Sequence, residues 1–191
     1  PDHMALALND EQRMVKDSAD GFFAEHAPVA QLRKLRDDKD ATGFDRGLWA
    51  KMAEMGFAGV AIPEQFGGAG LGMVAAGLIQ EAIGRNLSLS PFLSSAILSA
   101  KAILAGGSEE QKAAMLPKIA AGELIVALAA DEKSRHQPHA ISTRAEPSGN
   151  GFRLTGSKSF VLDGHVADRL IVAARTAGDD EDTTGITLFL V

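Results

Sequence analysis

The spacing of apolar positions changes near residue 124, and that change predicts how the chain is organised. Before it, apolar residues recur at helical spacing. Asn9 with Gln12 three residues on, behind Leu8, forms a capping-box pattern. Val15, Ala19 and Phe22 then follow at i, i+4 and i+7, which predicts one buried stripe. A second helix is predicted over 45–55, carrying Leu48, Met52 and Met55 and stopped by Gly56. Pro63 and five glycines between 59 and 72 interrupt regular structure. Helices resume over about 71–85, on Leu71, Val74, Leu78 and Ala82, and over 91–105, on Leu93, Ile97, Ala100 and Leu104. Ser108 with Gln111 opens another, SEEQKAAMLPKIAAGE, which Pro117 should kink or bend in its last turn and Gly122 should end.

After Glu123 the runs LIVALAA, ISTRAE, GFRLTG, KSFVL, RLIVAAR and GITLFLV are short and apolar or alternating. SGNG, DGH and GDDEDTTG separate them, which predicts about six strands. The acidic run 179–182 reads as a solvated hairpin tip. The last apolar run reaches Val191 with no polar tail, so the expectation is that the natural chain continues and the second domain is incomplete. The pattern gives a helical domain over 5–123 and a β-domain over 124–191, an α+β chain.

Composition narrows the function classes. With 191 residues, 46% of them hydrophobic, one large or two small cores are affordable. The net charge is -6 and no Lys/Arg block stands out, so a nucleic-acid partner is not expected. The absence of cysteine removes disulfides, thiol catalysis and zinc–thiolate sites. No signal peptide is evident and no run of eighteen apolar residues could span a bilayer, so a soluble, cytoplasmic protein is expected and no membrane partner. The opening PDHM resembles a cloning remnant and is set aside with His3.

Two stretches invite a chemical reading. FGGAGLG, 66–72, resembles a phosphate cradle, but Met73 replaces the third glycine and the P-loop lysine is missing, so a tightly packed connecting loop is expected. ADEKSRHQPH, 130–139, gathers Asp131, Glu132, His136 and His139. Pro138 separates the two histidines, and no set of three or four converging ligands is fixed, so no metal site is expected. His26 and His165 are isolated, and Asp40, Asp45, Glu54 and Glu64 show no paired acid–base pattern.

Three longer segments carry a resemblance. GSEEQKAAMLPKIAAGELIVALA, LWAKMAEMGFAGVAIPEQFGGAGLG and LTGSKSFVLDG resemble, in order and spacing, segments of the acyl-CoA dehydrogenase family from about Leu6 onward. The resemblance implies a helical N-terminal domain, a β-barrel-like middle domain and a C-terminal four-helix bundle, the last absent from this chain. It implies FAD as cofactor and α,β-dehydrogenation of an acyl-CoA thioester, within fatty acid degradation. The family's catalytic base belongs to the C-terminal part, so no acid here is given that role.

The family's TEPxxGSD loop corresponds to 130–137, with Ala130 at Thr, Asp131 at Glu, Glu132 at Pro, and His136 and Gln137 at Ser and Asp. Its Trp-Ile-Thr corresponds to Phe160, Val161 and Leu162, with Asp163 near the usual Asn. The implied cofactor-binding residues are Leu128, Ala130, Asp131, His136, Phe160, Val161 and Leu162, with His136 also facing substrate; Arg135 and His136 add donors for a pyrophosphate. Ala130 and Leu162 each lack a hydroxyl worth about 0.5–1.5 kcal/mol. Flavin affinity should therefore fall by roughly one or two orders of magnitude.

The implied partners are an acyl-CoA, an electron-transfer flavoprotein or similar acceptor, and further subunits, homo- or hetero-oligomeric and expected as a tetramer. Lys158 to Gly178 and Gly185 to Val191 are similar in particular to the small subunits of two-chain members, such as the pimeloyl-CoA type. Three readings stand: a FAD-dependent dehydrogenase, a non-catalytic partner subunit of a hetero-oligomer, and a flavin-free scaffold in which Ala130 and Leu162 fill core.

Overall fold

The capping patterns mark where helices begin. In the computed structural model, which describes residues 7–191, α1 spans Asp10–His26. The Gln12 amide donates to the Asn9 side chain at 2.8 Å, and the Asn9 amide donates to the Gln12 side chain at 3.1 Å. Residues 1–6, with His3 and the start of the predicted helical domain, lie outside the described residues. Ala19, Phe22 and Phe23 form the buried face of α1. The next helix, α2 (Val29–Asp37), was not predicted, although Val29, Leu32 and Leu35 recur at helical spacing; it fully buries no residue. α3 (Arg46–Glu54) starts at the Asp45 cap and ends before Gly56, whose φ of 78° suits a residue without Cβ.

The glycine-rich connection folds on itself. Ala69 N–H donates to Gly59 C=O at 3.0 Å and Leu71 N–H to Val60 C=O at 2.9 Å. Gly68 is required there, because a Cβ would lie 2.0 Å from the Ile62 carbonyl oxygen. α4 (Gly72–Arg85) packs against α1 and buries Ala75, Ala76, Ile79, Ala82 and Ile83; of the predicted stripe Ala82 is inside, Leu71 and Leu78 are half-buried, and Val74 is 54% exposed. Alanines count weakly in an apolar pattern, yet a small face allows close helix approach.

A wide π-type turn, Phe92–Ser99, continues as α5 (Ala100–Gly106). Of the predicted stripe, Ile97 and Ala100 are buried, Leu104 is half-buried and Leu93 is exposed, while Ser94, Ser95 and Ser99 are buried beside it. Ser95 and Ser99 are satisfied by main chain. Ser95 Oγ accepts from Val126 N–H at 3.1 Å, and Ser99 Oγ donates to Val126 C=O at 2.8 Å. α6 (Glu109–Ala120) begins with the Ser108–Gln111 box and runs through Pro117 for three more residues.

The second half is a mixed sheet of β1 (Val126–Ala129), β2 (Arg144–Ser148), β3 (Gly151–Thr155), β4 (Arg169–Arg175) and β5 (Ile186–Leu190). β4 is central. β1 runs parallel to it, with Leu128 opposite Ile171; β2 joins at Arg144–Arg175; β5 runs antiparallel, with Val172 opposite Phe189. β2 and β3 form a hairpin. The helical half followed by a sheet gives the expected α+β class. KSFVL is not the predicted strand: 157–168 is a turn-rich connection in which Phe160 and Asp163 take φ of 53° and 55°, which a ladder cannot accommodate.

Two clusters make the core. One gathers Phe22, Phe23, Trp49 and Phe92; the other joins Ile62, Leu116 and Ile119 to Val126 and Ile171 of the sheet. The acidic tip is more than solvated loop. Arg175, 1% exposed, donates to the carbonyls of His139, Thr184, Ile141, Asp182 and Asp180 at 2.8–3.2 Å, tying the tip to the segment after His136. Among the described residues, no helix is long and apolar enough to cross a membrane.

Candidate functional site

Where β1 ends, the chain runs alongside the turn-rich connection. Ser159 N–H donates to Asp131 C=O at 2.8 Å, Ser159 Oγ to Glu132 C=O at 3.3 Å, and Lys158 Nζ to Ala130 C=O at 3.2 Å. These bonds bring together the two segments that hold the sequence-derived site residues. Leu128 is half-buried on β1, Ala130 and Asp131 are half-buried just beyond it, and Val161 is half-buried opposite. Phe160 is 75% exposed and Leu162 49% exposed. His136 is exposed, its Nδ1 3.0 Å from Asp131 Oδ1. Within this chain Leu162 does not lie in a core.

Glu132 and Lys158 lie behind this surface, and sequence reasoning gave neither a role. Their side chains are each 9% exposed and meet at 2.7 Å. The Glu132 carboxylate also accepts the amides of Ser142 at 2.7 Å and Thr143 at 2.9 Å. Burial pushes its pKa up, but Lys158 and these donors outweigh burial and hold it at about 2, below the ordinary 4.5. The neighbouring Thr143 hydroxyl is buried without a hydrogen bond of normal geometry, so the weight falls on Lys158 and the two amides. Asp163 is a second addition: Ser94 Oγ donates to its Oδ2, pinning the turn to the π-type coil. No spacing rule links positions 132 and 158.

The arrangement offers an exposed aromatic ring at Phe160, apolar side chains following it at Val161 and Leu162, and a carboxylate–imidazole pair at Asp131 and His136. The two histidines do not converge on an ion: His136 bonds to Asp131, while His139 lends its carbonyl to Arg175. Among the described residues, no three His, Cys, Asp or Glu side chains gather as a metal cluster.

The family model "Acyl-CoA dehydrogenase, N-terminal domain" matches residues 9–123. Mitochondrial isovaleryl-CoA dehydrogenase of Pongo abelii is 34% identical over 191 residues, covering 96% of this chain and 44% of that protein. A chain of the ChsE4-ChsE5 complex from Mycobacterium tuberculosis aligns with a TM-score of 0.83 at 30% identity, over 98% of this chain and 48% of that one. The FAD complex of PigA aligns with a TM-score of 0.83 at 28% identity, over 98% and 49%. The chain thus spans less than half the length of these relatives. On the family match and the shared identity, the chain belongs to the acyl-CoA dehydrogenase family.

Proposed function

We propose that this chain is the helical domain, 5–123, and the middle β-domain, 124–191, of a FAD-dependent acyl-CoA dehydrogenase acting as one subunit of an oligomer. The observation that carries the reading is Phe160, an aromatic ring left 75% exposed on left-handed backbone, next to Ser159, whose N–H donates to Asp131 C=O. Covering such a ring stabilises by about 1.5–3 kcal/mol, which suits a planar ligand. In this reading Phe160 and Leu128 face the isoalloxazine. Val161 and Leu162 line its edge, main-chain N–H groups around Ala130 and Asp131 hold its polar rim, and His136 faces the acyl-CoA thioester. The chemistry the flavin supplies is acceptance of a hydride from the β-carbon. The acyl-CoA substrate, an acceptor such as an electron-transfer flavoprotein, and a cytoplasmic location belong to the same proposal.

A second reading makes the chain a partner subunit whose sister holds the working site. Ala130 and Leu162 lack hydroxyls at the two family positions, and a two-chain complex is among the similar structures. One experiment tests both readings: purify the full natural chain alone and co-expressed with its partner subunit, and measure bound flavin by absorbance and release. Flavin in the lone chain with acyl-CoA-dependent bleaching supports the first reading. Flavin only in the complex supports the second, and none in either sinks both.

A further inference from the structure

The geometry points to the Glu132–Lys158 ion pair as the element that positions Phe160, so that the surface it presents is assembled before any flavin arrives. This inference rests on the flavin reading and deepens it. Three separate segments meet at one carboxylate. Residues 130–132 bring Glu132 itself. Residues 142–143 bring two amides at 2.7 and 2.9 Å, and residues 158–159 bring the Lys158 ammonium at 2.7 Å. Ser159 N–H then fixes the second strand of contacts on Asp131 C=O at 2.8 Å. Phe160 follows at once in a left-handed conformation. Its turn closes through Gly164 N–H to Val161 C=O at 3.1 Å, and Ser94 holds the far end through Asp163.

The ring itself, 75% exposed, is held by little of its own. Its direction is set by the two anchored ends of a short turn, and the nearer anchor is Lys158. Buried ion pairs contribute little net stability compared with an apolar pair of equal volume. A carboxylate does something an apolar side chain cannot: it accepts several donors along fixed directions and so fixes the relative placement of the segments that carry them. A positioning role follows from that difference. Glu132 and Lys158 act behind the ring, through Ser159 and Phe160.

The test is a double-mutant cycle on FAD affinity, using deflavinated full-length protein in whichever assembly retains flavin. Glu132→Gln should weaken FAD binding about ten-fold in the parent. In a Phe160→Ala background the same change should cost less than about three-fold, because the group being positioned is gone. Equal losses in both backgrounds would overturn the inference. A readout without flavin runs in parallel: amide hydrogen exchange of the flavin-free protein. Glu132→Gln should speed exchange at Ser142, Thr143 and Ser159 about ten-fold or more, and unchanged protection would overturn the clamp by itself. Should Glu132→Gln fail to fold, Lys158→Gln carries the same cycle. If the parent binds no flavin in any assembly, the flavin reading and the positioning role fall together. The exchange data then show separately whether the clamp exists.

Discussion

Lys158→Met should cost about 3 kcal/mol at neutral pH. The substitution keeps an unbranched stem and removes the ammonium, together with its bonds to Glu132 at 2.7 Å and Ala130 at 3.2 Å. What remains is a carboxylate 9% exposed, held only by the amides of Ser142 and Thr143. Breaking a buried pair by deleting one partner typically costs 3–5 kcal/mol, and the two surviving amides favour the low end. Titration gives a similar figure. A carboxyl held at about 2 in place of 4.5 contributes on the order of 3 kcal/mol.

The sign of the pH dependence follows. The folded pKa is depressed, so the contribution is fully present above about 4.5 and is lost as pH falls toward 2. In the variant, burial acts on Glu132 without the ammonium, so the carboxyl protonates earlier and relieves its own penalty. The difference between parent and variant should therefore shrink to roughly 1 kcal/mol near pH 3. Urea unfolding followed by circular dichroism at both pH values measures it. A neutral-pH cost below about 1 kcal/mol, or the same cost at both pH values, would refute the account of Glu132 as a buried anion dependent on Lys158.

Four further outcomes are expected. Gly68→Ala should destabilise by about 3 kcal/mol or more in thermal unfolding, since its Cβ would meet the Ile62 carbonyl at 2.0 Å and that backbone cannot step aside. Arg175→Lys should cost about 2–4 kcal/mol and open 177–184 to limited proteolysis, because three ammonium donors cannot reproduce the guanidinium's carbonyl contacts. Phe160→Ala should leave stability within about 0.5 kcal/mol while reducing flavin retention; full occupancy in the folded variant rejects the stacking role. Leu162→Thr should tighten FAD by up to about ten-fold, and an unimproved Kd counts against the correspondence of 160–162 with the family's Trp-Ile-Thr.

The helix starts were legible because capping is local: Asn9–Gln12 and Ser108–Gln111 carry their own donors and acceptors within four residues. The buried faces were less so. Val74 and Leu93 looked like core by hydropathy but lie outside, displaced by alanines on α4 and by serines that bond the Val126 main chain. Hydropathy scores neither close approach nor a hydroxyl that is satisfied by a strand edge. KSFVL was composed like a strand, yet the left-handed φ at Phe160 breaks it, and that conformation leaves no mark in a Phe; the left-handed Asp163 just beyond falls in DGH, which already read as a turn. At the candidate site, the family pattern led to the two segments. It could not show that they are tied together at Ser159 and Lys158, since those bonds depend on residues 26 and more positions apart.

Asp131 and Glu132 are adjacent acids, and nothing in composition tells them apart. Their lengths do. Glu132 reaches past the main chain of its own segment to the amides of Ser142 and Thr143 and to Lys158, whereas Asp131 stays at the surface with His136. An aspartate at 132, one methylene shorter, could not span the same three donors without drawing the segments together. The cohesion of this surface therefore comes from a side chain behind it. Ala130 and Leu162, in front, contribute nothing to that cohesion: the Ala130 carbonyl accepts from Lys158 whatever its side chain, and Leu162 projects 49% exposed. The site's framework thus stands independently of the two positions where family hydroxyls are missing. Changing those positions should alter what the surface binds, and changing Glu132 or Lys158 should alter whether there is a defined surface to bind it.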